Sequence, residues 1–195
     1  MSAKQMSDQE LVNSYLKGNH TSFETLVNRH QARIYSYVLM LVKDRQLADD
    51  IFQDTFIKII RTLKSGAYKE DGKFIQWAMR IAHNLIIDHF RKSKRLPTVD
   101  SQFDDTGIVR QLNSNHPSIE EQIITEQIHE DLRKMIAFLP EEQREVLYLR
   151  LYAEMSFKDI SEMTGVSINT ALGRMRYALI NMRKMAKDNN VTLTV

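Results

Sequence analysis

The sequence predicts an all-helical protein of two small domains joined by a flexible acidic linker. Three observations carry that expectation. Apolar residues recur at three- and four-residue spacing over most of the chain, and strand-like alternation is hard to find. Glycine (6) and proline (3) are scarce for 195 residues. Residues 98–118 break the pattern with Asp100, Asp104, Asp105, Gly107, Asn113, Asn115 and Pro117, a composition that favours a linker over a core.

The elements follow in order. Ser7-Asp8-Gln9-Glu10 and Thr21-Ser22-Phe23-Glu24 both fit a capping box, in which a hydroxyl and a carboxylate satisfy orphan backbone amides. Gly18 between them suits the stop of the first helix. The second helix carries Phe23, Leu26, Val27, Ile34, Tyr37, Val38 and Leu41 on one broad face. Asp44 is placed to cap a third helix, with Ala48, Ile51, Phe52, Thr55, Phe56, Ile59, Ile60 and Leu63 at strict three–four spacing. Lys64 to Lys73 reads as a loop punctuated by Gly66 and Gly72. A fourth helix starts near Phe74, sets Trp77, Ala78, Ile81, Leu85 and Ile86 inward, and ends before Pro97. The first domain therefore spans 1–97.

Helical patterning resumes near Ile119, so the second domain spans 119–195. Pro140 fits the first helical position of a fresh start, with Glu141 and Glu142 in its first turn. Ser156-Phe157-Lys158-Asp159 is a further capping box, and its helix ends near Thr164-Gly165. Ser167 can cap the last helix, whose apolar set is Ile168, Ala171, Leu172, Met175, Ala178, Leu179 and Met182.

Composition excludes several function classes. No cysteine is present, which removes disulfides, zinc–cysteine sites and thiol chemistry. The six histidines fit neither a metal-protease nor a zinc-finger pattern. No metal, cofactor or small-molecule substrate is expected. No stretch approaches the roughly 18 apolar residues of a membrane span, and no secretory signal opens the chain. A cytoplasmic protein without direct membrane insertion is the expectation. The formal net charge of +2 says nothing about nucleic acid by itself, so the distribution of charge must decide.

Three segments show such a distribution. Residues 156–182 have a helix-turn-helix layout, a short helix and a turn at Gly165-Val166 followed by a helix that would enter the major groove. Its outward stripe is Asn169, Thr170, Gly173, Arg174 and Tyr177. Asn can bond adenine, Arg can bond guanine or phosphate, and Gly173 allows close approach. Arg174, Arg176, Arg183, Lys184 and Lys187 follow without an intervening acid, which suits phosphate contact. A three-helix bundle with a solvated basic face is the plainer alternative. The third helix exposes Asp49, Asp50, Gln53 and Asp54 on one side, either to complement the helix dipole or to dock a basic partner. The fourth helix projects Arg80, His83, Asn84, Ile87 and Arg91 and ends in Arg91-Lys92-Ser93-Lys94-Arg95. Tyr68, Lys69 and Lys73 precede it, adding an aromatic to the charge, a combination that holds single-stranded nucleic acid. Trp77 and His89 read as structural.

Three blocks in this order resemble the extracytoplasmic-function sigma factors, the small two-domain members of the bacterial sigma family. They are Leu47-Ala48-Asp49-Asp50-Ile51-Phe52-Gln53-Asp54-Thr55-Phe56, then Phe74-Ile75-Gln76-Trp77-Ala78-Met79-Arg80-Ile81-Ala82-His83-Asn84 running on to Asp88 and Arg91, and Leu139-Pro140 with Glu145-Val146 and Ser156-Phe157-Lys158-Asp159-Ile160. The resemblance implies that Asp49, Asp50, Gln53 and Asp54 meet a coiled coil on the clamp of core RNA polymerase. It implies that the Lys64–Lys73 loop captures a base flipped from the −10 promoter element. Tyr68, Lys73, Arg80, Asn84, Arg91, Lys94 and Arg95 would form the −10 contact surface. Asn169, Thr170, Gly173, Arg174, Arg176 and Tyr177 would bind the −35 element. The linker would thread along the polymerase, and an anti-sigma factor is a further implied partner. The chain departs from the family at Leu172, where members often carry a basic residue, and at Glu154, where a glycine is common. The competing functions are a sigma-like mimic that sequesters a regulator without binding DNA, a free-standing repressor, and a nuclease using His83, Asp88 and His89.

Overall fold

Helices form where capping signals and apolar spacing coincide. The computed structural model describes residues 6–69, 71–93 and 131–189. The linker expected at 98–118, the helical pattern expected from Ile119, and the site residues Lys94 and Arg95 lie outside or largely outside these. The described residues contain only helices and turns, in two compact units.

The first unit holds α1 (Asp8–Leu16), α2 (His20–Val42), α3 (Arg45–Lys64) and α4 (Phe74–Ser93). Ser7 caps α1 with the full reciprocal box to Glu10. Gly18 follows with φ +100, and its amide bonds the Tyr15 carbonyl, as a helix-ending glycine should. The box expected at Thr21 does not form. Helix α2 starts two residues earlier than a Thr21 cap implies, at His20, with Asn19 as its N-cap. Thr21 Oγ1 instead donates to Asn19 Oδ1 at 2.6 Å, and Ser22 turns inward to Ser14 Oγ at 2.8 Å, tying α2 to α1. Asp44 caps α3 by accepting from the Leu47 amide at 2.7 Å.

Helices α2, α3 and α4 pack on one another, and α1 packs on α2. Leu11, Leu26, Ile34, Tyr37, Ile59, Leu63, Phe74 and Met79 are fully buried between them. Thr55 sits at an apolar position without cost because its hydroxyl donates to the Ile51 carbonyl one turn back.

The second unit holds a helical stretch at 131–137, then α5 (Glu141–Leu151), α6 (Phe157–Thr164) and α7 (Ile168–Asp188). Pro140 is the N-cap of α5 and not its first helical residue. Leu139, Leu147 and Ala178 centre a core lined by Ile136, Met175, Met182 and Met185. Asn181 Nδ2 donates to Gln143 Oε1 at 2.8 Å and joins α7 to α5.

Candidate partner and nucleic-acid interfaces

Three surfaces were expected, and each can be built from its helix. On α3, Asp49, Asp50, Gln53 and Asp54 are all exposed. The first turn of α3 is Arg45 to Ala48 and holds no acid. The cluster therefore starts beyond the turn where the helix dipole acts most strongly, and dipole complementation does not account for it. Sequence reading missed a neighbour on α2. The Tyr35 hydroxyl bonds the Asp49 carboxylate, with Arg45 close by. Burial first, and then the Asp49 charge, push the Tyr35 phenol above its ordinary range. Its ring meets Phe52 edge-on at 5.6 Å. Tyr35 thus holds Asp49 in place and belongs to the acidic face. Tyrosine on an apolar helix reads as core, so nothing in its spacing marked it.

The second surface lies on α4 and the loop before it. Lys73, Trp77, Arg80, Asn84, Ile87 and Arg91 recur at helical spacing and share one face. Lys73, Asn84, Ile87 and Arg91 are exposed, and Arg80 and Trp77 are half-buried. Three expectations are corrected here. Trp77 is not core: it lies at the edge of this face and packs on Tyr68, with ring centroids 4.1 Å apart. Ile75 and Met79, two residues to either side of it, are buried. His83 does not project outward. It is buried, 2.8 Å from the Tyr37 hydroxyl through Nδ1, and burial lowers its pKa so that the ring is held neutral. His89, read as structural, is exposed. Helix α4 is apolar on so many sides that spacing alone left its rotation open.

The loop is pinned from behind. Tyr68 also meets Phe74 edge-on at 6.3 Å, and Phe74 contacts the His30 ring at 5.5 Å. His30 is buried, and its Nε2 donates to Asp8 at 2.7 Å, while Arg29 bonds the other carboxylate oxygen at 2.6 Å. Burial alone would raise the Asp8 carboxyl, but His30 and Arg29 together outweigh it and hold it below its usual value. Gly66 (φ +71) and Gly72 (φ +79) turn the loop. Arg91 lies 3.5 Å from Asp88 with both side chains more than half exposed. Such a pair contributes little and leaves the guanidinium available.

The third surface is α7. The turn is built as expected: Gly165 ends α6 at φ +70, and Ser167 caps α7 by accepting from the Thr170 amide at 3.1 Å. Asn169, Thr170, Arg176 and Tyr177 are exposed, and Gly173 and Arg174 are half-buried. The Thr170 hydroxyl is engaged with Ser167 Oγ at 2.9 Å. The apolar set is corrected. Ile168, Leu172 and Leu179 are exposed, and Ala171 and Ala178 fill the core with the methionines. Glu154, before α6, has φ +55. That left-handed backbone is the physical reason a glycine suits the position.

Two family models match the chain, sigma-70 region 2 over residues 26–96 and sigma-70 region 4 over residues 129–176. Together they cover more than half of it, and they enclose all three surfaces except the C-terminal end of α7. The chain belongs to the extracytoplasmic-function sigma factors. It is 29% identical to an RNA polymerase sigma-H factor of Pseudomonas aeruginosa, over 88% of this chain and 89% of that one. It is 25% identical to the ECF RNA polymerase sigma factor SigW of Bacillus subtilis, over 94% and 99%. It is 27% identical to the ECF RNA polymerase sigma-E factor of Escherichia coli, over 97% and 96%. Its fold matches two solved structures. One is CnrH in complex with the cytosolic domain of CnrY (TM-score 0.56, 22% identity, 94% of this chain and 99% of that one). The other is the sigma factor RpoE of Bartonella quintana in complex with the anti-sigma factor NepR (TM-score 0.57, 18% identity, 85% and 96%).

This sigma factor is therefore an RNA polymerase specificity subunit and a regulator of transcription initiation. His83, on which the nuclease reading relied, is a core residue of its first unit. No helix among the described residues is long and apolar enough to cross a membrane.

Proposed function

We propose that this sigma factor docks on the clamp coiled coil of core RNA polymerase through Asp49, Asp50, Gln53 and Asp54, and reads promoter DNA with two helices. In this reading Tyr68, Lys73, Arg80, Asn84 and Arg91, with Lys94 and Arg95 beyond the described residues, hold the −10 element. Trp77 joins that face. Asn169, Thr170, Gly173, Arg174, Arg176 and Tyr177 meet the −35 element. Residues 1–97 carry docking and −10 contact, 98–118 connect, and 119–195 carry the helix-turn-helix. The protein works in the cytoplasm as a non-enzymatic factor, and an anti-sigma factor restrains it, as the Bartonella complex suggests by analogy.

The observation that carries docking is an exposed acidic face that helix-dipole complementation does not account for. Its four residues lie past the first turn of α3, and Tyr35 orients one of them. The basic faces of α4 and α7 favour DNA contact over a mimic that only sequesters a regulator. Charge reversal tests the docking: Asp50→Lys with Asp54→Lys should abolish co-elution with core polymerase while helicity and melting are unchanged. Co-elution retained at wild-type level contradicts the assignment.

A further inference from the structure

Asn169, Leu172, Gly173 and Arg176 recur at i, i+3, i+4 and i+7 in α7 and so share one face. Leu172 is 43% exposed and is not spent on the core. Gly173 has ordinary helical backbone, and a Cβ there would meet nothing within 4 Å. A glycine inside a helix weakens it relative to alanine, and nothing within this unit requires it. Both residues lie in the first two turns of the second helix of the helix-turn-helix, the part whose outward side chains reach base edges. Leucine has no hydrogen-bonding atom in its side chain. The apolar landmark of the major groove is the C5-methyl of thymine.

We infer that Leu172 is a specificity-determining residue that packs on a thymine methyl of the upstream promoter element, at a closeness Gly173 permits. The inference rests on the reading of α7 given above. The surroundings suit it. Phe157, Leu179 and Ile180 continue the apolar surface along a groove of about 450 Å³, Arg176 and Arg183 also line it, and no carboxylate does. The guanidinium of Arg150 stacks on Phe157 at 5.4 Å and steadies that wall. The arginines offer charge to the phosphates that flank the bases.

The test uses holoenzyme, the full chain with core polymerase, on a promoter duplex obtained by run-off selection. Each thymine of the upstream element is replaced in turn by deoxyuridine, which lacks only the methyl group. The wild-type protein should lose about three- to fourfold in affinity at one position, the worth of one buried methyl. Leu172→Ala should bind the thymine and uracil forms equally there, and Leu172→Met, still apolar, should keep the discrimination. A methyl effect of equal size in wild type and Leu172→Ala, or none at any position, overturns the inference while promoter binding persists. Weakened polymerase co-elution in Leu172→Ala with unchanged thymine discrimination shows that the groove takes a protein, and also overturns it. Should α7 not read the upstream element at all, every base change there would leave affinity unaltered. That distinct result removes the parent reading and this one together.

Discussion

Gly173 separates stability from function most cleanly at the residue scale. Replacing it with alanine removes backbone freedom from the unfolded chain and meets no clash inside the fold. Gly173→Ala should stabilise the second unit by about 0.5–1 kcal/mol, seen as a higher melting temperature, and still weaken promoter binding. A gain in both would place the DNA elsewhere. Glu154 has the opposite problem, a side chain in left-handed backbone at φ +55. Glu154→Gly should relieve up to about 1 kcal/mol of that strain, less whatever its carboxylate contributes, and denaturant melting would show the difference. Tyr35→Phe keeps the ring against Phe52 and deletes only the hydroxyl that bonds Asp49. Polymerase affinity should fall by about 0.5–1.5 kcal/mol, and the loss should vanish in an Asp49→Ala background. Additive losses would show that Tyr35 does not act through Asp49.

His83 links a residue to the pH behaviour of its unit. Its pKa is depressed by burial below the ordinary 6.5. The folded state therefore binds fewer protons than the unfolded state as pH falls. Its contribution is whole above about 6.5 and is lost progressively below that value. Melting temperature should drop between about pH 7 and pH 5, and His83→Gln should flatten that part of the profile. An unchanged slope in the variant would assign the effect to other groups.

At the scale of elements, legibility followed polarity contrast. Helix α3 was readable to its rotation because Asp44 caps it and its acids oppose a clean apolar stripe. The turn between α6 and α7 was readable because Gly165 and Ser167 each perform one local task. Helix α4 was not fully readable. Ile75, Trp77, Met79, Ile81 and Ile86 surround much of it, and spacing could not say that Trp77 faces Tyr68 or that His83 meets Tyr37. In α7 small alanines and flexible methionines form the buried side, so larger Leu172 and Leu179 looked like core and are not. The start of α2 was misplaced by two residues: Asn19 takes the N-cap position, and the Thr21 hydroxyl expected to cap the helix donates to the Asn19 side chain instead.

For the whole molecule, the proposed division of labour sets one acidic face against two basic ones along a chain of net charge +2. Protein alone should bind promoter DNA weakly, and its affinity should fall steeply with added salt because the phosphate contacts release counterions. The central claim is that this chain gives core polymerase a promoter. The direct measurement is run-off transcription by bacterial core enzyme on templates from the chain's own genome, with and without the purified protein. The account predicts discrete promoter-specific products that appear only when the chain is added and that disappear with Asp50→Lys/Asp54→Lys. Identical products with and without the chain, or none across the template set, would contradict it.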